Sequence, residues 1–308
     1  MVAPSLVVTV PEEGLARDLG ELPDGVELLL WDMRTPPPRD RIDIVVPPYL
    51  SLPAVLPILA GATVRLVQGE SIGFDGVAEH LPPGNVFANA ASVHEASTAE
   101  LAVGLAIAAQ RRIPEFVRAQ EDGRWMQSFS PSLADRRVLL LGYGGVGKAV
   151  AARLLPFEVE LTVVAHTARV EDGVRVHGTD ELPALLPQAE IVIATLPGGE
   201  STRHIIDDAA LSALPDGALV INVGRGPLID TEALVDHVSR CRIRVALDVT
   251  DPEPLPADHP LWALPGVLIS PHVGGASTAM QPRIARLVRR QIDRMLAGEP
   301  PVNVVLTT

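Results

Sequence analysis

The segment VLLLGYGGVGKAV at 138–150 constrains this chain more than any other. A short apolar run meets three glycines, Gly142, Gly144 and Gly147, at the G-x-G-x-x-G spacing, and a helical pattern follows. In a strand–turn–helix unit each glycine has a separate task. Gly142 allows the tight turn, Gly144 lets the backbone approach a pyrophosphate, and Gly147 lets the helix pack closely on the strand. The helix N-terminus then offers unpaired N–H groups and a partial positive charge to the phosphates. The same residues nearly spell a nucleoside-triphosphate loop, G-x-x-x-x-G-K. Ala149 stands, however, where that loop needs Ser or Thr to ligate magnesium. The segment therefore reads as a dinucleotide site inside a βαβ unit.

Strand and helix patterns alternate around it. Leu6–Val10, Val26–Leu30, Ile42–Val46 and Thr63–Val67 read as strands, and 97–110 as a long helix. Beyond it the strands Val138–Leu141, Leu161–Val164, Ile191–Ala194, Ala218–Asn222, Arg244–Asp248 and Val267–Ser270 are separated by helical patterns, among them 145–155 and 180–186. Continuous apolar strands between helices are the mark of a buried parallel sheet, so the class is α/β. The last helix, 282–296, stops at Gly298 and two prolines. The first four strands form one block and those after 138 another. A chain that leaves its first block near 95 can return to it with that last helix. The expectation is two Rossmann-like or flavodoxin-like domains with parallel sheets. A dinucleotide-binding domain at 96–280 is inserted into a discontinuous substrate domain, 1–95 plus 281–308.

Composition narrows the partners. The chain has 308 residues, with 25 Lys plus Arg against 38 Asp plus Glu, for a net charge of −13. That balance speaks against nucleic acid or an anionic membrane, both of which need a basic face. An anionic ligand must be held by a few local cations. With 47% hydrophobic and 20% charged residues the chain has enough apolar matter for a full core. Cys241 is the one cysteine, so no intrachain disulfide can form. The start, MVAPSLVVTVPEEG, lacks the basic segment of a signal peptide, and LAVGLAIAA at 101–109 is too short to span a bilayer. A cytoplasmic location is expected, with no metal required.

Two further places carry chemistry. A dinucleotide site needs a group for the adenosine ribose about 20 residues beyond the glycines, ordinarily an acid. Here Ala165 follows the strand ELTVV, and His166, Thr167 and Arg169 come next. A carboxylate would repel a 2′-phosphate, whereas these side chains can hydrogen-bond one, which favours NADP over NAD. Downstream, three charged residues each follow a strand: Arg225 in INVGRGPLID, Glu253 in ALDVTDPEPLP and His272 in ISPHVGG. The carboxyl edge of an open α/β sheet is where ligands bind. A guanidinium can clamp a carboxylate at two points and polarise a neighbouring carbonyl. A histidine can give or take a proton near neutral pH. A glutamate beside it favours the imidazolium.

With LLLGYGGVG, ATLPGGEST at 194–202, INVGRGPLID at 221–230, ALDVTDPEPLP at 246–256 and ISPHVGG at 269–275 in order, the chain resembles the D-isomer-specific 2-hydroxyacid dehydrogenase family over nearly its full length. The resemblance implies hydride transfer between NAD(P)H and a short 2-oxo acid. It gives Arg225 the substrate carboxylate and carbonyl, His272 the acid/base role, and Glu253 the pairing with His272. Cofactor contacts are implied at Gly142, Gly144, Gly145, Val146, Gly147, Leu196, Pro197, Thr202, Val223, Gly224, Arg225 and Asp248, the last near the nicotinamide. QGESIGFDG at 68–76 would offer backbone N–H groups from Ile72 and Gly73 to the carboxylate. Tyr49, His94, Trp262 and Met280 are candidates for the pocket wall. Similar enzymes are homodimers that use the region of the helix at 97–110.

Alternatives within the resemblance are formate dehydrogenases, whose members carry an amide where Glu253 stands, and phosphoglycerate dehydrogenases, whose regulatory domain does not fit into 273–308. Some similar proteins act as dinucleotide-sensing corepressors. The substrate suggested by the short clamp together with NADP is glyoxylate or hydroxypyruvate.

Overall fold

The computed structural model describes residues 6–49 and 52–308. It divides into two compact units, Met1–His94 with Ser277–Thr308, and Glu95–Ala276. The first unit begins with β1 (Leu6–Val10), α1 (Glu13–Leu19), β2 (Val26–Leu30) and β3 (Arg41–Val45). It continues with α2 (Leu52–Val55), β4 (Thr63–Gln68), α3 (Val77–His80) and β5 (Val86–Ala88). The second unit opens with α4 (Glu95–Gln110), α5 (Ile113–Glu121), β6 (Arg137–Leu141), α6 (Gly145–Leu154) and β7 (Glu160–Ala165). A hairpin of β8 (Arg169–Glu171) and β9 (Val174–Gly178) follows, then α7 (Leu182–Leu185), β10 (Ile191–Ala194), α8 (Asp208–Ala213) and β11 (Leu219–Asn222). The unit ends with α9 (Thr231–Ser239), β12 (Arg244–Leu247) and β13 (Val267–Ile269). The chain then adds α10 (Met280–Leu296) and β14 (Val304–Thr307) to the first unit.

The first sheet has the order β14-β5-β4-β3-β1-β2. Its parallel strands run 2-1-3-4-5, the flavodoxin-like order, and switch direction of winding at β1 and β3. β14 joins β5 antiparallel. The second sheet has the order β13-β12-β11-β10-β6-β7-β9-β8 and switches at β6 and β10. It is parallel except for the β8–β9 hairpin. Both sheets were expected to be parallel; each carries one antiparallel edge pair as well.

The central strands β6, β10 and β11 of the second sheet are apolar almost throughout because both faces are covered. Leu139, Leu141, Val192, Ala194 and Val220 pack on one side, and Val138, Leu140, Ile191, Ile193, Leu219 and Ile221 on the other. Each such side chain, taken fully out of water, contributes about 1.5–3 kcal/mol before the entropy of ordering is set against it. In the first unit, α10 buries Ile284, Ala285, Val288 and Ile292 against Leu15 and Leu19 of α1 and against β1. No helix among the described residues is long and apolar enough to cross a membrane.

Candidate active site

The glycine turn sits at the switch point of the second sheet, between β6 and α6. Gly142 has φ 106°, a left-handed value that favours glycine, and its N–H donates to the Val164 carbonyl at 2.8 Å. A Cβ on Gly147 would lie 2.0 Å from the Gly142 carbonyl oxygen. At Gly144 a Cβ would meet nothing within 4 Å. The turn is thus closed where helix meets strand and open above Gly144, the shape a pyrophosphate needs. The N-terminal residues of α6 are Gly145, Val146 and Gly147. The dinucleotide fits the residues present.

Across the switch point Thr195 ties the next strand end to the turn, its Oγ1 donating to the Leu141 carbonyl at 3.1 Å. The following loop is closed by Thr202, whose hydroxyl donates to the Pro197 carbonyl at 2.8 Å, and Leu196 is buried. Asn222 shapes the turn after β11. Its Oδ1 accepts from Gly224 N–H at 3.0 Å and its Nδ2 donates to the Arg225 carbonyl at 2.8 Å. Val223 is buried beside it. A Cβ on Gly226 would fall 1.9 Å from the Thr250 carbonyl oxygen, so only glycine lets this turn press against the end of β12.

Arg225, Glu253 and His272 all belong to the second unit and share one electrostatic neighbourhood. His272 Nδ1 is hydrogen-bonded to Glu253 Oε1. That bond raises the His272 pKa above its ordinary value; burial opposes it, the Glu253 charge adds to it, and Arg225 pulls the other way. Burial would raise the Glu253 carboxyl, but the His272 bond and charge, with Arg225 contributing, leave it below the ordinary value. Both side chains remain partly open to solvent, at 48% and 39%. Arg225 Nη1 donates to the Gly224 carbonyl at 2.8 Å.

Asp248 is buried and holds the histidine turn. Its carboxylate accepts from Ser270 Oγ at 2.7 Å and from the N–H groups of Val273 and Gly274, each at 2.9 Å. Its carbonyl accepts from His272 N–H at 2.8 Å. The side chain is occupied in building the turn that presents His272.

At the end of β7, Ala165 is buried and His166, Thr167 and Arg169 are exposed. Arg169 forks onto Glu171 Oε2 at 2.9 and 2.7 Å and reaches the Thr167 carbonyl at 3.2 Å. Lys148, from α6, donates to the other oxygen of Glu171 at 2.5 Å and lies 5.7 Å above the Tyr143 ring. Lys148 and Arg169 hold the Glu171 carboxyl below its ordinary value. The sequence reading missed Lys148 and Glu171. The signal was there, since Lys148 is the residue after the last glycine, but the contact depends on the β8–β9 hairpin turning Glu171 back.

In the first unit, the loop after β4 has its carbonyls turned inward. Gln68 Nε2 donates to Gly69, Asn89 Nδ2 to Ile72, His94 Nε2 lies 2.5 Å from the Glu70 oxygen, and Ser71 Oγ donates to Gly73. Tyr49 stacks on His94 with ring centres 5.9 Å apart. Glu70, also missed, has a carboxyl pushed up to about 8 by burial and by the charge of Glu12. Met280 begins α10 in this unit. Trp262 belongs to the second unit, half exposed, with its indole N–H on the Pro256 carbonyl.

Residues 103–274 match the model of the D-isomer specific 2-hydroxyacid dehydrogenase NAD binding domain. The chain belongs to the D-isomer specific 2-hydroxyacid dehydrogenase family. The glyoxylate reductase of Thermofilum pendens is 32% identical over 257 residues, 80% of this chain and 76% of that protein. The glyoxylate reductase of Korarchaeum cryptofilum is 29% identical over 98% of this chain and 96% of its own. Among solved structures, a family member from Xanthobacter autotrophicus Py2 in complex with NADPH and MES superposes with TM-score 0.82 at 28% identity, covering 99% of this chain and 98% of that one. An NADPH-dependent glyoxylate/hydroxypyruvate reductase of Sinorhizobium meliloti, in complex with NADP and malonate, gives 0.77 at 27% identity, covering 97% and 96%. Members of the family transfer a hydride between NAD(P)H and a 2-oxo or 2-hydroxy acid, and this chain is an oxidoreductase of that kind.

Proposed function

We propose that this chain reduces a short 2-oxo acid, glyoxylate or hydroxypyruvate, with NADPH, and oxidises the D-2-hydroxy acid over the same groups. The observation that carries the reading is the His272–Glu253 pair in the field of Arg225. Bound NADPH supplies the hydride to C2 of the acid. Arg225 holds the carboxylate and polarises the carbonyl. His272 spends Nδ1 on Glu253, which leaves Nε2 to protonate the carbonyl oxygen. In oxidation the neutral imidazole takes that proton back. The N–H groups of Ile72 and Gly73 are the first unit's candidates for the carboxylate, the carbonyls of their loop being taken up by His94, Asn89 and Ser71. In this reading residues 96–280 hold the cofactor and 1–95 with 281–308 the substrate.

NADP is preferred over NAD. Ala165 removes the acid that would repel a 2′-phosphate, and His166, Thr167 and Arg169 receive it. Arg169 and Lys148 are both paired with Glu171, so receiving the phosphate requires Arg169 to exchange that carboxylate for it. The NADP and NADPH in the two solved relatives are consistent with it. The enzyme works as a cytoplasmic homodimer joined through α4 and the segment after it.

Steady-state rates with a panel of 2-oxo acids and both cofactors test the reading. NADPH is expected to exceed NADH at least tenfold in kcat/KM, and Arg169→Ala to erase that margin. His272→Ala is expected to lose about 10²–10⁴ in rate. Equal or better efficiency with NADH overturns the cofactor assignment. Tight NADPH binding without turnover of any 2-oxo acid overturns the reductase, in favour of a dinucleotide sensor.

A further inference from the structure

α10 carries five arginines and a single acid in 17 residues, in a chain of net charge −13. Two of the five are spent on the fold. Arg289 donates to the carbonyls of Leu19 and Glu21, and Arg294 pairs with Glu299 at 2.9 Å. The other three, Arg283, Arg286 and Arg290, lie at i, i+3 and i+7, on one face of the helix. With Leu287 and Ser92 they line a groove of about 370 Å³. Arg283 is tethered at its rim by a bond to the Val93 carbonyl at 3.1 Å, and Ser92 turns the chain there with φ 80°. Among the described residues no carboxylate lies within ion-pair distance of these three guanidinium groups. Like charges at i,i+3 and i,i+4 repel, so the arrangement is one that an anion would relieve.

We propose that this groove binds a compact oxyanion of two or more negative charges, such as a phosphate ester or a di- or tricarboxylate. The volume falls in the small-ligand range of roughly 300–1,000 Å³. Three guanidinium forks suit planar or tetrahedral oxygen clusters, which each fork can take at two points. A long polyanion would feel the net negative field of the whole chain, while a compact one meets only the local cations.

Calorimetric titration with inorganic pyrophosphate, run on the full chain with NADP⁺ saturating, tests the site. Saturation fills the nucleotide turn, and the serine variant separates the groove from the remaining anion site at Arg225. The parent is expected to bind pyrophosphate, and Arg286→Ser/Arg290→Ser to bind it at least tenfold more weakly with NADP⁺ affinity unchanged. Arg286→Lys/Arg290→Lys, which keeps the charge, is expected to fall between the two. Both positions are exposed, so the core does not change. Equal binding by the parent and the serine variant, or no binding by the parent at millimolar pyrophosphate, overturns the proposal. So does a serine variant that keeps its pyrophosphate affinity but changes its state of assembly, which would mark this helix face as a subunit contact.

Discussion

His272 is held in left-handed backbone space, with φ 53°, a conformation that costs a residue other than glycine of order 1 kcal/mol. Asp248 holds it there through the His272 N–H and through the two N–H groups that follow. The result is an imidazole aimed at a carboxylate, and its protonation sets the pH range of the reaction. Reduction needs the imidazolium, whose pKa lies above 6.5, so kcat/KM for reduction falls as pH rises through that raised value. Glu253→Gln removes the largest cause of the shift, and the descending limb is expected to move to lower pH, toward 6.5. A pH profile of kcat/KM for both proteins checks this; a limb that stays in place overturns the pairing. The linked stability has the same sign. His272 binds its proton more tightly when folded, so its contribution is complete below 6.5 and lost as pH rises through the raised value. Glu253, lowered from 4.5, contributes above that value and loses its share as pH falls through the depressed one.

At the scale of the element, close approach decides what the site tolerates. The turn after β11 presses Gly226 onto the end of β12, so a methyl group there must displace backbone rather than a flexible side-chain tip. Gly226→Ala is expected to lower stability by about 1–3 kcal/mol. It should also cut kcat/KM more than tenfold, because Arg225 moves with the turn. Thermal unfolding and steady-state rates check it, and a variant with the parent's values in both shows that the turn gives way freely. Elements of this kind were legible in part. Leu6–Val10 and Ile191–Ala194 read from sequence as they fold, because strands covered on both faces are apolar almost without interruption; the edge strand Val26–Leu30 read so as well, on its four apolar residues. The hairpin ARVEDGVRV did not read as strand. Its charged residues face solvent at the sheet edge and leave little apolar signal. β5 was missed because it is only three residues long, and β14 because it is a mostly exposed edge strand. Glu70 was invisible for another reason. A carboxylate written in a polar loop gives no sign that the fold will bury it beside Glu12. By contrast, Arg225, Glu253 and His272 stood out because each follows a strand of one sheet, and strand ends of a parallel sheet share an edge.

At the scale of the whole molecule, exposed apolar surface points to assembly. α5 shows Ile113 and Val117, one turn apart, at 42% and 51% exposure, and the segment after it leaves Trp125 and Phe129 almost wholly exposed. Large apolar side chains grouped along one stretch of surface mark a contact site more often than chance. Their neighbours include Glu121, Asp122 and Arg124, which suits a polar rim around an apolar centre. A homodimer in solution is therefore expected, with Trp125 and Phe129 among its anchors. A buried aromatic anchor is worth about 2 kcal/mol or more, roughly thirtyfold in dimer affinity. Sedimentation equilibrium over a wide concentration range checks the expectation, with Trp125→Ala/Phe129→Ala as the comparison. The double variant should dissociate at concentrations where the parent is fully dimeric, while NADP⁺ binding, carried by the glycine turn, persists. A parent that sediments as a monomer at every concentration removes the dimer, and a variant with the parent's dissociation constant moves the interface elsewhere.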